Sequence, residues 1–500
     1  MGASSTVTIA PSSDHLNSSP RPVNTALSSD EDRISALPDD ILIKILERID
    51  DLHAVFRTST LSRRWAHLPH LLSCLLIQVA DFLPRDKSSW TVHQVMAAYI
   101  AVLRRLLPSS PSCNRAIKRL RLSFYLTDPY PYLCSIGHAV GDVVEHGNTD
   151  SLEFTIFSDA RNPSYEQCVV FGQRFMSFFQ ACPIAFRWLT SLTLQNITFG
   201  ETDVFDLLNA CNKLELLSLT ACDSVVDPVT GEDAALAIHA PPHSALLTLE
   251  IKCCAFARID LIRAPKLGRL VCTSWTEANP PLHFGDVPHL DDITLRLAAV
   301  HLQTPFALSH LLSNTSTLSV MHLDFSNQMI WIKPEAPKNL CSILNNLRDV
   351  YLYNIFSECD LNWTMFVLEA APALTNFHLK LSRHPCERSR CEDTAKKVNV
   401  VWDNASPDFK HHRLSLLEIV GFAVDEKLTK YIRLVMERAV VLKRIRLLDR
   451  EPCANKCDAM DGAQCPSSTR WRFPVEEEEK KLTRQRLIDG LSSSVEISIG

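Results

Sequence analysis

Cys386, Cys391, Cys453, Cys457 and Cys465 crowd into one late stretch of the chain, with His384, His411 and His412 nearby. Thiolates and imidazoles are the ligands of structural zinc, and a closed site needs four of them in tetrahedral array. The spacing offers no C-x₂-C pair at either end, so these residues read as loop cysteines without metal. No phosphate-cradling lysine loop, H-E-x-x-H, G-x-S-x-G or dinucleotide glycine fingerprint occurs. The 13 glycines form no cluster that could hold a phosphate. The expectation is a chain with no catalytic role, no cofactor and no metal.

Bulk properties narrow the class further. The formal net charge is −6, against the basic field of a nucleic-acid binder. Two basic clusters, Lys118-Arg119-Leu120-Arg121 and Lys443-Arg444-Ile445-Arg446, alternate with apolar residues and read as solvated strand faces. The 17 cysteines, odd in number and scattered over 500 residues, read as free thiols of a reducing compartment rather than a disulfide framework. The longest apolar run, near Leu71–Val79, is too short to span a bilayer. Residues 1–30 are rich in Ser, Pro, Thr and Asn and lack the apolar stretch of a signal peptide. Gly2, Ser5 and Thr6 meet a short, common myristoylation pattern. An intracellular protein, nuclear and/or cytoplasmic, is expected, with no membrane and no nucleic acid as partner.

What remains to do chemistry is surface, and surface needs a scaffold. The pattern L-x-x-L-x-L returns along the chain as Ile117–Leu122, Leu189–Leu194, Leu214–Leu219, Leu246–Ile251, Leu267–Cys272, Leu290–Leu295, Leu318–Leu323, Leu347–Leu352, Leu374–Leu379, Leu414–Ile419 and Leu442–Leu447. A weaker copy covers Leu152–Ile156. A short strand with one apolar face cannot bury that face alone; stacked side by side, such strands form a parallel sheet over a continuous core. Segments such as Val204–Cys211 read as intervening helices, and Ala264-Pro265 and Ala370-Ala371-Pro372 as tight returns. The x positions, among them Thr190, Ser191, Thr193, Gln195, Arg348, Asp349, Tyr351 and Tyr353, are expected to face a concave, protein-binding side. Glu476–Glu479 followed by Lys480-Lys481 reads as a solvated helix or a partner-facing tail.

The opening differs. Leu37-Pro38-Asp39-Asp40 is a helix start, with Pro in the first turn and acidic residues at the positive end of the helix dipole. Ile41, Leu42, Ile45, Leu46 and Ile49 follow at helical spacing. Asp50-Asp51 separates a second helix carrying Leu52, Val55 and Phe56. Leu61, Trp65 and Leu68, with Ser62 as cap, mark a third. Such a unit is too small to be stable alone; it either caps the repeats or docks a partner.

Leu37-Pro38, the Ile/Leu ladder and Leu61-Ser62-Arg63-Arg64-Trp65 resemble an F-box. The stretch from His411 to Cys453, led by Val400-Val401-Trp402, resembles the FBD domain of plant F-box/leucine-rich-repeat proteins, and the whole order resembles that family. The resemblance implies an α/β fold: a short three-helix F-box, then a curved, irregular leucine-rich-repeat solenoid with a parallel sheet and an FBD-like cap. The expected divisions are a disordered leader (1–30), F-box (31–75), helical linker (76–112), repeats (113–395), FBD-like terminal repeat (396–470) and charged tail (471–500). It also implies a substrate-recognition subunit of an SCF-type E3 ubiquitin ligase. Such a subunit docks a Skp-type adaptor, and through it a cullin, and holds a target protein on the repeats. The adaptor-binding set would be Leu37, Pro38, Ile41, Leu42, Ile45, Leu46, Leu61, Ser62 and Trp65, with contact and core roles unseparated. A non-degradative interaction scaffold is the alternative.

Overall fold

The computed structural model describes residues 34, 36–49, 51–83, 91–107, 117–127, 131–146, 149–160, 162–226, 231, 234–277, 279–296, 305–326, 330–357, 359–382, 402, 408–449, 473–491 and 494–500. Gly2, Thr6, His384 and the five late cysteines lie outside them.

Among the described residues one fourteen-stranded sheet runs from end to end, its strands in chain order. They are β1 (Cys74–Gln78), β2 (Arg119–Tyr125), β3 (Ser151–Phe157), β4 (Ser191–Gln195), β5 (Leu216–Thr220), β6 (Thr248–Lys252), β7 (Arg269–Thr273), β8 (Asp292–Arg296), β9 (Val320–Asp324), β10 (Asp349–Phe356), β11 (Asn376–Ser382), β12 (Leu416–Val420), β13 (Arg444–Leu448) and β14 (Glu496–Ile499). Neighbouring strands are all parallel. Helices α1 (Asp39–Leu46) and α2 (Leu52–Thr58) precede the sheet. Between strands lie α3 (Val92–Leu106), α4 (Pro131–His146), α5 (Tyr165–Ala181), α6 (Pro183–Arg187), α7 (Asp203–Ala210), α8 (Leu308–Leu311), α9 (Pro337–Leu344), α10 (Met365–Ala370), α11 (Glu426–Arg438) and α12 (Glu477–Ile488).

The repeat copies read from the sequence occupy β2 to β13, their leucines turned inward and fully buried, as Leu192, Leu194, Leu217 and Leu219 illustrate. The two end strands extend that reading. β1 carries the same template, Leu72-Ser-Cys-Leu75-Leu-Ile77, hidden within an apolar run at the junction assigned to F-box and linker. β14 uses Ile497 and Ile499 with Ser494 in the first leucine's place, so the segment read as a tail adds a helix and a strand to the sheet. The third opening helix is corrected: residues 61–67 form turns, followed by a 3₁₀ turn over Leu68–Leu71. Pro69 has no amide hydrogen to continue an α-helix from Trp65.

Three repeats depart from the helix-backed plan. Leu236–His239, Ile259–Arg263 and Leu282–Asp286 form a second parallel sheet behind β5 to β8, between α7 and α8. Beneath α4, α5 and α6 the core is aromatic, with Phe124, Phe154, Phe175, Phe178 and Phe186 all fully buried.

The chain leaves β4, β5, β6, β7 and β12 through one left-handed residue each: Asn196, Ala221, Cys253, Ser274 and Gly421, with φ between 50° and 78°. Asn and Gly suit this conformation, whereas a β-carbon on Ala strains it by about 1–2 kcal/mol. Ala221 is exposed. Ala221→Gly is expected to raise stability by about 0.5–1 kcal/mol, since the gain exceeds the added unfolded-state entropy. A urea midpoint that stays put or falls would contradict this.

Candidate functional site

The opening helices present two unlike faces. Leu42 and Leu46 on α1, Val55 on α2, and Trp65, Leu68 and Leu72 beyond it are buried and join the core of the repeats without a break. On the other side of α1, Ile41 and Ile45 are 36% and 40% exposed, Ile49 just past the helix is 37% exposed, and Leu61 is at 68%. Pro38 caps α1 from an exposed position, Leu37 is half-buried against the core, and Ser62 is exposed. The nine residues of the sequence reading thus separate. Pro38, Ile41, Ile45, Leu61 and Ser62 lie at the surface, Leu37 is half-buried, and Leu42, Leu46 and Trp65 are buried in the core.

Arg64 holds this unit together. Its Nε and Nη2 donate to Asp39 Oδ1 at 2.8 and 2.7 Å, and Nη2 also donates to the Leu37 carbonyl. The guanidinium keeps the Asp39 carboxyl below its ordinary pKa, with His67 adding a smaller pull. Arg64 therefore ties the turns after α2 to the start of α1. The sequence reading quoted it only as part of a motif.

Glu47, the C-cap of α1, fastens the helices to the sheet. Its Oε1 accepts from the Ser73 amide (2.9 Å), the Ser73 hydroxyl (2.7 Å) and the Cys74 amide (3.2 Å) at the start of β1. Burial pushes the carboxyl pKa up, but these hydrogen bonds outweigh it and the net direction is down. Ser73 in turn accepts from Lys118 and Arg119, which open β2. An α-helix of the opening unit is thus one residue removed from the sheet's hydrogen-bond ladder.

The concave face of the sheet carries the second constellation. Parallel register sets His322 of β9, Tyr351 of β10 and His378 of β11 in one row. Their rings stack at 4.4 Å on each side of Tyr351, within 10° of parallel. Tyr353 stands beside them, 5.9 Å from Tyr351. His378 Nδ1 lies 3.0 Å from Glu418 Oε1, and Arg446 Nη1 reaches Glu418 Oε2 at 2.7 Å. At the other end Asp292 is 3.9 Å from His322 and 3.5 Å from Arg269. Burial lowers the His322 pKa and raises those of Tyr351 and Asp292. The row is an ordered aromatic shelf whose ring faces are already occupied by one another. Of the other x positions, Asp349 accepts from Asn376 (2.6 Å), while the Thr190 hydroxyl donates to the Leu152 carbonyl (2.9 Å) and is structural.

His411 has a role of its own. Its Nδ1 accepts from the Leu414 and Arg413 amides at 2.9 and 3.2 Å, and Nε2 donates to the Ala371 carbonyl at 3.0 Å. Both nitrogens are spent on backbone, and burial holds the ring neutral by lowering its pKa. No group of three or more potential metal-holding side chains occurs among the described residues. No described helix is long and apolar enough to cross a membrane.

A helical unit with an exposed isoleucine face, rigidly joined to a leucine-rich parallel sheet with a polar and aromatic inner face, defines an F-box/leucine-rich-repeat protein. Residues 34–75 match the F-box domain, and residues 162–494, more than half the chain, match the At1g61320/AtMIF1 LRR domain. The chain belongs to the plant F-box/leucine-rich-repeat family, with repeats of the At1g61320/AtMIF1 type. Two Arabidopsis thaliana proteins are similar to it. F-box/LRR-repeat protein 25 is 26% identical over 211 residues, which are 39% of this chain and 69% of that protein. F-box/LRR-repeat protein At5g02930 is 24% identical over 304 residues, 57% of this chain and 56% of that protein. The repeat match runs through residues 396–470, where β12, α11 and β13 continue the same sheet. The likeness of that stretch to an FBD domain stays a resemblance.

Proposed function

We propose that this chain is the substrate-recognition subunit of an SCF-type ubiquitin ligase. One observation carries the reading: α1 is apolar on both sides, and the side that does not enter the core leaves Ile41 and Ile45 in contact with water, with Ile49 exposed just past the helix end. Singly exposed aliphatics need no explanation, but aliphatics gathered along one short helix and its exit mark a docking surface. The F-box match supports a Skp-type adaptor as its partner, with a cullin reached through that adaptor. Pro38, Ile41, Ile45, Leu61 and Ser62 are the proposed contact residues, and Leu42, Leu46 and Trp65 shape the surface from beneath. The concave sheet holds a target protein near the transferring enzyme, and this chain supplies proximity rather than chemistry. The described cysteines, all free, suit the reducing nucleus or cytoplasm.

The test is binding of the full chain to a purified Skp-type adaptor, with a Leu37→Ala/Pro38→Ala variant beside it. Binding by the wild type that the variant weakens supports the proposal. No binding by folded wild-type protein overturns it, and leaves the helices as a cap on the repeats.

A further inference from the structure

The concave face does not carry its charge evenly. On β6 to β9 each carboxylate has a basic neighbour: Glu250 with Lys252, Asp292 with Arg269, Asp324 with Arg296. On β10 to β13 the balance breaks. Arg444 and Arg446 stand in β13, and Arg348 and Lys443 directly precede β10 and β13. Among the described residues the carboxylates set against these four cations are Asp349 and Glu418 on the strands and Asp449 just after β13. Glu418 is already held by Arg446 and His378, and Asp349 by Asn376. Arg348, Lys443 and Arg444 are exposed and form no ion pair among the described residues. Glu496 of β14 lies opposite Arg444 in register but does not pair with it. The excess is local, because the whole chain is acidic at −6.

We infer that the concave face of β10 to β13 is the target-docking end of the sheet, and that its occupant is an acidic peptide segment, rich in Asp and Glu and bearing an aromatic or aliphatic side chain. Charge complementarity selects the acidic residues: guanidinium forks on β13 match carboxylates in geometry as well as sign. The aromatic shelf selects the apolar one. His322, Tyr351 and His378 are already ordered by their mutual stacking, so a partner laid against their outer edges and Tyr353 meets little side-chain entropy cost. Tyr and Arg side by side are also the residue types that dominate interface energetics. The inference rests on the reading of the concave sheet as the target face, and it is independent of the adaptor half of that reading.

The experiment uses the full chain and two labelled twelve-residue peptides. One alternates Glu and Asp with Tyr and Leu; the other replaces each acid by Lys. Fluorescence anisotropy is expected to show the acidic peptide binding about tenfold or more tightly than its twin, and weakening as salt rises. Lys443→Glu/Arg444→Glu is expected to abolish the preference by reversing the local charge, and neither residue gives up an ion pair among the described residues. Arg296→Glu, on the balanced half of the face, is expected to keep it. Equal affinity for both peptides overturns the inference, as does acidic binding that survives Lys443→Glu/Arg444→Glu. So does a homopolymeric single-stranded RNA that competes as well as the peptide, which would make the patch a general polyanion site. Adaptor binding measured on the same proteins keeps the two readings apart: retained adaptor binding with no peptide preference removes only the charge proposal.

Discussion

The Ile41→Lys/Ile45→Lys protein is expected to lose affinity for a Skp-type adaptor by about 100-fold or more while unfolding at nearly the same urea concentration as the wild type. Ile41 and Ile45 are 36% and 40% exposed, and the Lys methylene stems can lie over the apolar surface that the isoleucines cover, so the stability of the free protein should fall by no more than about 1 kcal/mol. In a complex the same side chains would be desolvated at the centre of an apolar contact, where two buried ammonium groups without partners cost several kcal/mol. The opposite face gives the contrast. Leu46→Ala removes a side chain that is 1% exposed and should cost about 2–5 kcal/mol of stability. Isothermal titration with the adaptor, paired with urea unfolding of the free chains, separates the two. Unchanged adaptor affinity in the double variant would place the contact elsewhere on the molecule.

The largest stability effect belongs to Phe186→Ala. The Phe186 ring sits 5.1 Å from Phe178, 5.2 Å from Phe179, 5.9 Å from Phe154 and 6.0 Å from Phe175, mostly edge to face. It thereby joins α5, α6 and β3 at one point. Removing a fully buried Phe costs about 3–5 kcal/mol, because the transfer energy and the cavity add. In a repeat protein each unit contacts only its neighbours, so the loss should stay local. Hydrogen exchange should accelerate in β3, β4, α5 and α6 while β10 to β13 keep their protection. Uniform acceleration over the whole sheet would show that the repeats unfold as a single cooperative body.

The sheet was legible because one constraint repeats. Each strand buries two residues of fixed type, and a sequence that meets this need so often leaves a visible pattern. β1 meets it too, with Leu72, Leu75 and Ile77, but neighbouring leucines blur the alternation. β14 escapes because Ser494 replaces the leading leucine and the preceding helix is highly charged. The three strands behind β5 to β8 were unreadable for another reason: short apolar runs such as Leu236–His239 carry too few residues to distinguish period 2 from period 3.6. On α1 the sequence shows the isoleucines and leucines as one ladder. Only the placement of the helix against Leu68 and Leu72 divides them into core and surface. The His–Tyr–His row is invisible along the chain, since its members lie in three different repeats and meet only through strand register.

The sheet that replaces helices behind β5 to β8 also sets the shape of the arc. Strands repeat every 4.8 Å or so, whereas packed helices need about 8–10 Å. A repeat backed by a helix is therefore a wedge, wider outside than inside, and stacked wedges bend. Over these strand-backed repeats both sides advance by the same step, so the stack is expected to bend less there than over the helix-backed repeats on either side. The length of that stretch, fixed by the number of strands behind it, helps set how far anything gripped at one end is held from anything gripped at the other.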